Sequence, residues 1–336
     1  MKVLVTGASG MLGRRTAEAL HARGDAVRTL QRRPSRLDSD EVLGDVTDPA
    51  AVRRAVDGCD AVLHLAAKVS VTGPWEQYAA VNVEGTRTVL NAARATGVTR
   101  FVQVSSPSVA HAGQALVGVG AAAADPEHAR GSYARSKARA EQLALAHADD
   151  AMAVVAVRPH LVWGPGDQQL VGRIAERART GRLFLVGGGH ALIDTTYVDN
   201  AVSALLAALD RADTVNGRAF VVSNGEPRTV AELLQRICHA VGAPPPRRAV
   251  PRAVAAAAGA VVETAWSVRP GEDEPPMTRF LAEQLSTAHW FDQRETRTAL
   301  EWRPHVSLAE GFRRLAEPAS TASAPAATAE REITHP

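Results

Sequence analysis

The chain is predicted to be an α/β protein: a doubly wound parallel sheet over its first half, followed by a smaller α+β region. Two observations predict this. Short β-branched runs alternate with helical patterns from the N-terminus to about Trp163, which is how a parallel sheet covered on both faces reads. A glycine-rich turn lies directly between the first strand and the first helix, and beyond Trp163 the regular alternation stops.

In chain order, the strand candidates are Lys2–Thr6, Ala26–Leu30, Glu41–Leu43, Ala61–Leu65, Arg100–Ser105 and Val154–Arg158. Between the third and fourth, Asp48 is placed to cap a helix over Ala50–Val56, with Pro49 at its first position. The pattern from Trp75 to Thr96 predicts one long helix ended by Gly97. After Trp163 come short strand-like pieces, Leu183–Val186 and Ala219–Val222, and two capping-box pairs, Thr229 with Glu232 and Ser307 with Glu310. Gly242–Arg247 and Gly271–Pro276 are expected loops. The tail 318–336, rich in Ala, Ser, Thr and Pro, is expected to be disordered. The predicted division is 1–163 for the sheet domain, with further elements of it around 190–225, and 164–317 for the second region.

Composition sets bounds. The chain has 336 residues, 46% hydrophobic and 22% charged, enough for a substantial core. A formal net charge of +2 gives no reason to expect a nucleic-acid partner. Cys59 and Cys238 make no CxxC pair and are expected to be free, buried thiols; no metal site is expected. A strand at the very N-terminus leaves no room for a signal peptide, and no apolar run approaches the roughly 20 residues that span a bilayer, so a cytoplasmic protein is expected. The Ala/Val-rich run Ala253–Val262 is too short to span, although it could lie against lipid or line an apolar pocket.

The turn after the first strand reads Thr6-Gly-Ala-Ser-Gly-Met-Leu-Gly13. Glycines permit the tight turn and let backbone N–H groups at the helix N-terminus approach a diphosphate, the arrangement of a Rossmann fold. Gly7, Ser9, Gly10, Met11, Leu12 and Gly13 are therefore candidate dinucleotide-binding residues; an unliganded glycine turn is the plainer alternative. At the end of the second strand an acidic residue would select NAD by accepting from the ribose 2′-hydroxyl. Here Gln31-Arg32-Arg33 stands instead, and two guanidiniums suit a 2′-phosphate, so NADP(H) is expected, with NAD(H) as the alternative. Asp45 and Val46 follow the third strand, facing the adenine edge. Leu65, Ala66 and Ala67 end the fourth strand, where small residues let backbone lie against the cofactor. Asn82 sits on the helix that follows.

Tyr133-Ala-Arg-Ser-Lys137 places a phenol and an ammonium one helical turn apart. An ordinary tyrosine has a pKa near 10, and a neighbouring cation favours the phenolate and lowers that value toward the working range. The fifth strand ends in Ser105-Ser106-Pro107, at the carboxyl edge where open α/β sheets bind ligands; a serine hydroxyl there can hydrogen-bond a substrate carbonyl. Ser106 is the expected catalytic partner of Tyr133 and Lys137, with Ser105 the neighbour next in line. Pro159, at the end of the sixth strand, is placed for its backbone to meet the nicotinamide. His64, His111 and His160 share no metal-ligand spacing and are expected in the core or at the rim of the site.

The order TGxxGxxG, NVxGT, YxxxK and RP over residues 6–159 resembles the extended short-chain dehydrogenase/reductase family, and within it the 3β-hydroxysteroid dehydrogenase group. The runs Arg158–Val171, Asp194–Asn200 and Glu274–Ser286, with His289-Trp290, resemble bacterial 2-alkyl-3-oxoalkanoate reductases of long-chain olefin biosynthesis, and less closely sterol-4-carboxylate 3-dehydrogenases. The resemblance implies NADPH-dependent reduction of a hydrophobic 2-alkyl-3-oxoalkanoic acid to its 3-hydroxy acid. It implies 164–317 as mainly substrate-binding, with apolar stretches Leu161–Trp163 and Ala253–Trp266 able to hold alkyl chains, although core packing explains those stretches equally well. It further implies a homodimer through helices at Trp75–Thr96 and Ser132–Asp149, and a β-lactone synthetase and decarboxylase acting downstream, which could share an assembly. The alternatives are a 3β-hydroxysteroid or sterol-4-carboxylate dehydrogenase, and a catalytically silent NADP-sensing protein.

Overall fold

A computed structural model describes residues 1–35, 37–69, 73–111, 113–267 and 279–317. The expected loop Gly271–Pro276, the start of the run from Glu274 and the tail 318–336 lie outside the described residues.

Seven parallel strands form the main sheet: β1 (Lys2–Thr6), β2 (Ala26–Gln31), β3 (Asp40–Leu43), β4 (Ala61–His64), β5 (Arg100–Val104), β6 (Ala153–Pro159) and β7 (Ala219–Val222). Their spatial order is β3-β2-β1-β4-β5-β6-β7. The chain leaves β1 toward β2 on one side and later returns to place β4 on the other, with Val3 opposite both Val27 and Ala61. That change of direction opens a crevice at the carboxyl ends of β1 and β4, where this class of sheet binds ligands.

Side-chain alternation builds two cores. Val3, Val5, Leu63, Val155 and Phe220 face one layer with Leu20 and Leu205, while Leu4, Val62, Phe101 and Val154 face the other with Val52 and Leu90. Burying each such side chain contributes about 1.5–3 kcal/mol. Asp48 caps the helix Pro49–Val56 by accepting from Ala50 N at 2.9 Å, and Thr229 and Ser307 accept from the N–H groups of Glu232 and Glu310 as their spacing predicts. Gly97 adopts φ +78° just past the helix it ends.

The predicted helix over Trp75–Thr96 is divided. Trp75–Tyr78 and Gly85–Ala95 are α-helical, and Ala79–Glu84 between them forms a π-helical turn. The strand piece expected at Leu183–Val186 is shorter, Leu185–Val186, and pairs with Ala249–Val250.

Beside the main sheet lies a four-stranded one, ordered Arg228–Thr229, Leu192–Ile193, His289–Phe291, Leu116–Val119. A third core holds the later region against the sheet. Trp163 stacks on Phe312 at 4.6 Å between ring centroids, meets Tyr197 edge-on, and donates from its indole to Thr195 Oγ1 at 2.9 Å. Cys59 and Cys238 are buried and unbridged. Among the described residues no helix is long and apolar enough to cross a membrane.

Candidate active site

The glycine turn is a cradle shaped by close backbone approaches. Gly7 has φ +76°, and a Cβ there would stand 2.9 Å from Ala66 N; one at Gly13 would stand 2.4 Å from Gly7 O. Neither position tolerates a side chain without moving backbone. Gly10 caps the helix Met11–Ala22 with no side-chain hydrogen bond, so the first-turn N–H groups stay available to an anion. Ser9, Gly10 and Met11 line an open groove with Arg14 and, across it, Pro165 and Gly166. Leu12 instead packs against the first and third cores. The chemistry of this donor set fits the diphosphate of a dinucleotide.

Thr6 ties this turn to the next strand end. Its hydroxyl accepts from Leu65 N at 3.1 Å and Ala66 N at 3.0 Å, and its proton goes to His64 Nδ1 at 2.8 Å. His64 Nε2 then donates to Thr86 Oγ1 at 3.0 Å, because that hydroxyl's own proton goes to the Asn82 carbonyl. Burial, with Lys137 nearby, pushes His64 down to about 3, so it stays neutral. The sequence left His64 as core or rim and passed over Thr6.

At the β2 end, Arg32 and Arg33 are exposed, Arg32 by 79% of its side chain. Asp45 lies 4.0 Å from Arg32 Nε and accepts from Thr47 N and Oγ1; Val46 is buried under Gly85. One carboxylate near this turn was not anticipated. Glu41 accepts from Ser35 N at 2.9 Å, from Ser35 Oγ at 2.6 Å and from the Gln31 amide, so it is occupied in holding the turn. The Arg14 guanidinium donates to the Ser35 carbonyl and reaches the same corner from the first helix.

The helix Gly131–Leu145 carries Tyr133 and Lys137 at the carboxyl edge of β5 and β6. The Ser106 hydroxyl stands near enough to the Tyr133 phenol to favour its phenolate, and Ser106 itself starts the turn Pro107–Ala110 and accepts from Ser108 Oγ at 3.0 Å. Ser105 Oγ is buried and has no partner among the described residues. Lys137, 4% exposed, donates to the Val104 carbonyl at the end of β5. Burial pushes Lys137 down to about 8, opposed by Glu141. Burial likewise pushes the Tyr133 phenol up to about 12, opposed by the Ser106 hydroxyl and reinforced by Tyr78. The expected lowering of the phenol by its lysine is not found here: burial governs, and Tyr133 is a protonated acid.

The π-helical turn places Asn82 between the β4 extension and this helix. Its Oδ1 accepts from Lys68 N at 2.7 Å, and its Nδ2 donates to Lys68 O at 3.1 Å and to Ser136 Oγ at 2.8 Å. Ala67 lies in the stretch so held. Ser136, inside the YxxxK element, donates in turn to the Tyr133 carbonyl at 2.8 Å. Pro159 is buried at the end of β6, paired with Val222. The structure thus gathers Gly7, Gly10 and Gly13 at one end of the crevice, and Ser106, Tyr133, Lys137 and Pro159 at the other.

Sequence reasoning missed Glu141, although it repeats the spacing of four that links Tyr133 to Lys137. Beyond the site, His111 and His160, expected in the core or at the rim, are buried together with His289. His160 Nδ1 bonds the Asp194 carbonyl, and His111 and His289 meet through their Nε2 atoms at 3.2 Å. Burial pushes His160 to about 4 and His289 to about 3. Among the described residues no cluster of His, Cys, Asp and Glu could hold a metal.

Residues 3–223 match the NAD dependent epimerase/dehydratase family, and the chain belongs to it. Fold, crevice and membership define the class, an NAD(P)-dependent oxidoreductase of the extended short-chain dehydrogenase/reductase type. The chain is 44% identical over 324 residues to a 2-alkyl-3-oxoalkanoate reductase of Stenotrophomonas maltophilia, covering 94% of this chain and 98% of that one. It is 33% identical to a 3 beta-hydroxysteroid dehydrogenase/Delta 5-->4-isomerase of Mycobacterium tuberculosis, over 90% of this chain and 86% of that one. Among solved structures, a short-chain dehydrogenase/reductase superfamily protein of Agrobacterium tumefaciens with bound NAD is similar, with a TM-score of 0.71, 25% identity, and 94% and 96% of the two chains covered.

Proposed function

We propose that this chain reduces the 3-keto group of a 2-alkyl-3-oxoalkanoic acid to the 3-hydroxy acid, with NADPH as cofactor. The observation that carries the reading is the Ser106 hydroxyl beside the Tyr133 phenol, one helical turn from a buried Lys137, in a chain whose reductase relative matches nearly end to end. The bound nicotinamide supplies the hydride. Ser106 donates toward the ketone oxygen and fixes where it lies. Tyr133, held protonated by burial, gives its proton to that oxygen as charge develops there. Lys137 stabilises the phenolate left behind, and its ammonium also suits the ribose hydroxyls. Gly7, Ser9, Gly10, Met11, Leu12 and Gly13 would hold the diphosphate through the backbone of their turn. Asp45 and Val46 would serve the adenine, and Leu65, Ala66, Ala67, Asn82, Ser105 and Pro159 would serve the rest of the cofactor.

NADP(H) over NAD(H) is supported by Arg32 and Arg33, whose guanidiniums are exposed; Arg32 lies 4.0 Å from Asp45, and Glu41 at the same turn is already engaged by Ser35 and Gln31. In this reading 1–163 binds cofactor and 164–317 mainly binds substrate. The product is a 3-hydroxy acid that a β-lactone-forming enzyme and then a decarboxylase convert to an alkene, in the cytoplasm. A dimer would form through the helices near Trp75–Ala95 and Gly131–Leu145. The second reading, a 3β-hydroxysteroid dehydrogenase, is favoured by the mycobacterial relative.

The test is NADPH absorbance with a racemic 2-alkyl-3-oxoalkanoic acid, beside a 3β-hydroxysteroid with NAD or NADP. Keto-acid turnover that Tyr133→Phe lowers by about 10²–10⁴ supports the proposal. Steroid oxidation without keto-acid reduction selects the second reading. Activity undiminished in Tyr133→Phe refutes the assigned acid, and no turnover of either substrate favours a sensing role.

A further inference from the structure

Tyr133, Lys137 and Glu141 stand four residues apart on one helix, so all three side chains share one face, a turn from each other. Glu141 is fully buried. A buried carboxylate one turn from a lysine would ordinarily capture the ammonium, and a captured Lys137 would be drawn away from Tyr133. The structure shows a different arrangement. Arg158, from β6, grips Glu141 with two bonds, Nε to Oε2 at 2.9 Å and Nη2 to Oε1 at 2.5 Å, while its Nη1 donates to the Ala122 carbonyl at 2.7 Å. The two side chains are 2% and 0% exposed. Lys137 Nζ meanwhile donates to the Val104 carbonyl.

We propose that Arg158 is a positioning residue: by occupying both oxygens of Glu141 it keeps that carboxylate off Lys137 and leaves the ammonium on the Val104 carbonyl, one helical turn from Tyr133. The idea rests on the Tyr133–Lys137 reading above. A planar guanidinium suits the task, because its two-point grip satisfies both carboxylate oxygens at once, which a lysine in its place could not. Among the described residues, Glu141 from its own helix and a neutral His64 from β4 interact with Lys137, while Tyr133 lies one turn away on the same helix and Arg158 reaches Glu141 from β6. Tyr78 stands beyond the phenol, and the Ser106–Ala110 turn brings only hydroxyls. With Arg158 removed, Glu141 has one buried cation left to pair with.

The test uses oxidation of the 3-hydroxy acid by NADP⁺, where the acid-side limb of the rate, rising with pH as the phenol gives up its proton, reports the phenol and its lysine. In Arg158→Met the limb should move at least about one pH unit alkaline, with kcat/KM at pH 7 down about tenfold or more. Removing the stranded carboxylate as well, in Arg158→Met/Glu141→Gln, should return the limb to its wild-type position or below and recover most of the rate. A merely structural pair would lower stability in both variants without moving the limb in one and restoring it in the other. If Arg158→Met does not fold, Arg158→Lys keeps the charge but covers one carboxylate oxygen only, so it should move the limb alkaline by less, and Arg158→Lys/Glu141→Gln should return it. An unmoved limb in the single variant that folds, or a double variant no better than its single, would each overturn the proposal. Failure of the parent reading would show separately, as activity retained in Tyr133→Phe.

Discussion

Asn82→Ala offers a direct measure of how much of the site is held by one buried amide. Asn82 is 1% exposed and makes three hydrogen bonds, two to the backbone of Lys68 and one to Ser136 Oγ. Water can replace the amide at Lys68, which is half-buried, but not at Ser136, which is fully buried. Ser136 keeps its own bond to the Tyr133 carbonyl, so it loses a donor without becoming an orphan. At about 1 kcal/mol per bond, with a small addition for the space left behind, the chain should lose about 2–4 kcal/mol of stability. Urea unfolding monitored by tryptophan fluorescence reads this loss. Because the same amide pins the stretch after β4 to the Tyr133 helix, NADPH affinity should fall about tenfold by fluorescence titration. Ser136→Ala should cost about 1 kcal/mol, and the double variant should depart from additivity by about 0.5–1.5 kcal/mol. A loss below about 0.5 kcal/mol in Asn82→Ala with unchanged cofactor affinity would refute the reasoning.

Three other outcomes follow from the same geometry. Arg32→Ala/Arg33→Ala should raise the KM for NADPH at least about tenfold, leave that for NADH nearly unchanged, and lose its effect as salt is raised, since both side chains are exposed; an equal rise for both cofactors would remove the 2′-phosphate assignment. Gly13→Ala, whose Cβ would stand 2.4 Å from Gly7 O, should cost about 1–3 kcal/mol by forcing the helix from the turn, and should weaken cofactor binding further than it weakens the fold. Acid should destabilise the chain: His64, His160 and His289 are held near 3, 4 and 3, below the unfolded value, so unfolding takes up their protons and stability falls as pH drops from about 6.5 toward 4. Asp194, pushed up to about 6 by burial, acts oppositely between about 3.8 and 6, leaving a net uptake of about two protons near pH 5, measurable from the slope of stability against pH.

Most of the sheet was legible because its strands are short runs of Val, Leu and Ala between turn signals, and the parallel order follows from the alternation with helices. Leu116–Val119 was not, since Ala-Leu-Val-Gly-Val-Gly carries neither alternation nor a bounding turn, and it becomes a strand only by pairing with His289–Phe291 far along the chain. The π-helical turn at Ala79–Glu84 leaves no mark in periodicity, which a single slipped hydrogen-bond register barely alters over one turn. Asn82 was nonetheless readable as a candidate; what the sequence withheld was its partner, Ser136, 54 residues away. The glycines announced themselves because a close backbone approach excludes every other residue. The state of Tyr133 did not, because spacing shows which charge is near and not how far water has been removed.

Removal of water also explains why the site is built as one connected polar line. Thr6 bonds His64, His64 bonds Thr86, Thr86 bonds the Asn82 carbonyl, the Asn82 amide bonds Ser136, and Ser136 bonds the Tyr133 carbonyl, each link between 2.7 and 3.0 Å. All of the side chains that form these links are buried. A buried polar group left without a partner costs about 1–3 kcal/mol, so a break at one link strands its neighbours and favours complete formation or none. The line begins on the strand that opens the diphosphate turn and ends on the helix that carries the phenol. Its cooperativity therefore sets the position of the proton donor relative to the cofactor cradle, two parts that come from distant stretches of the chain.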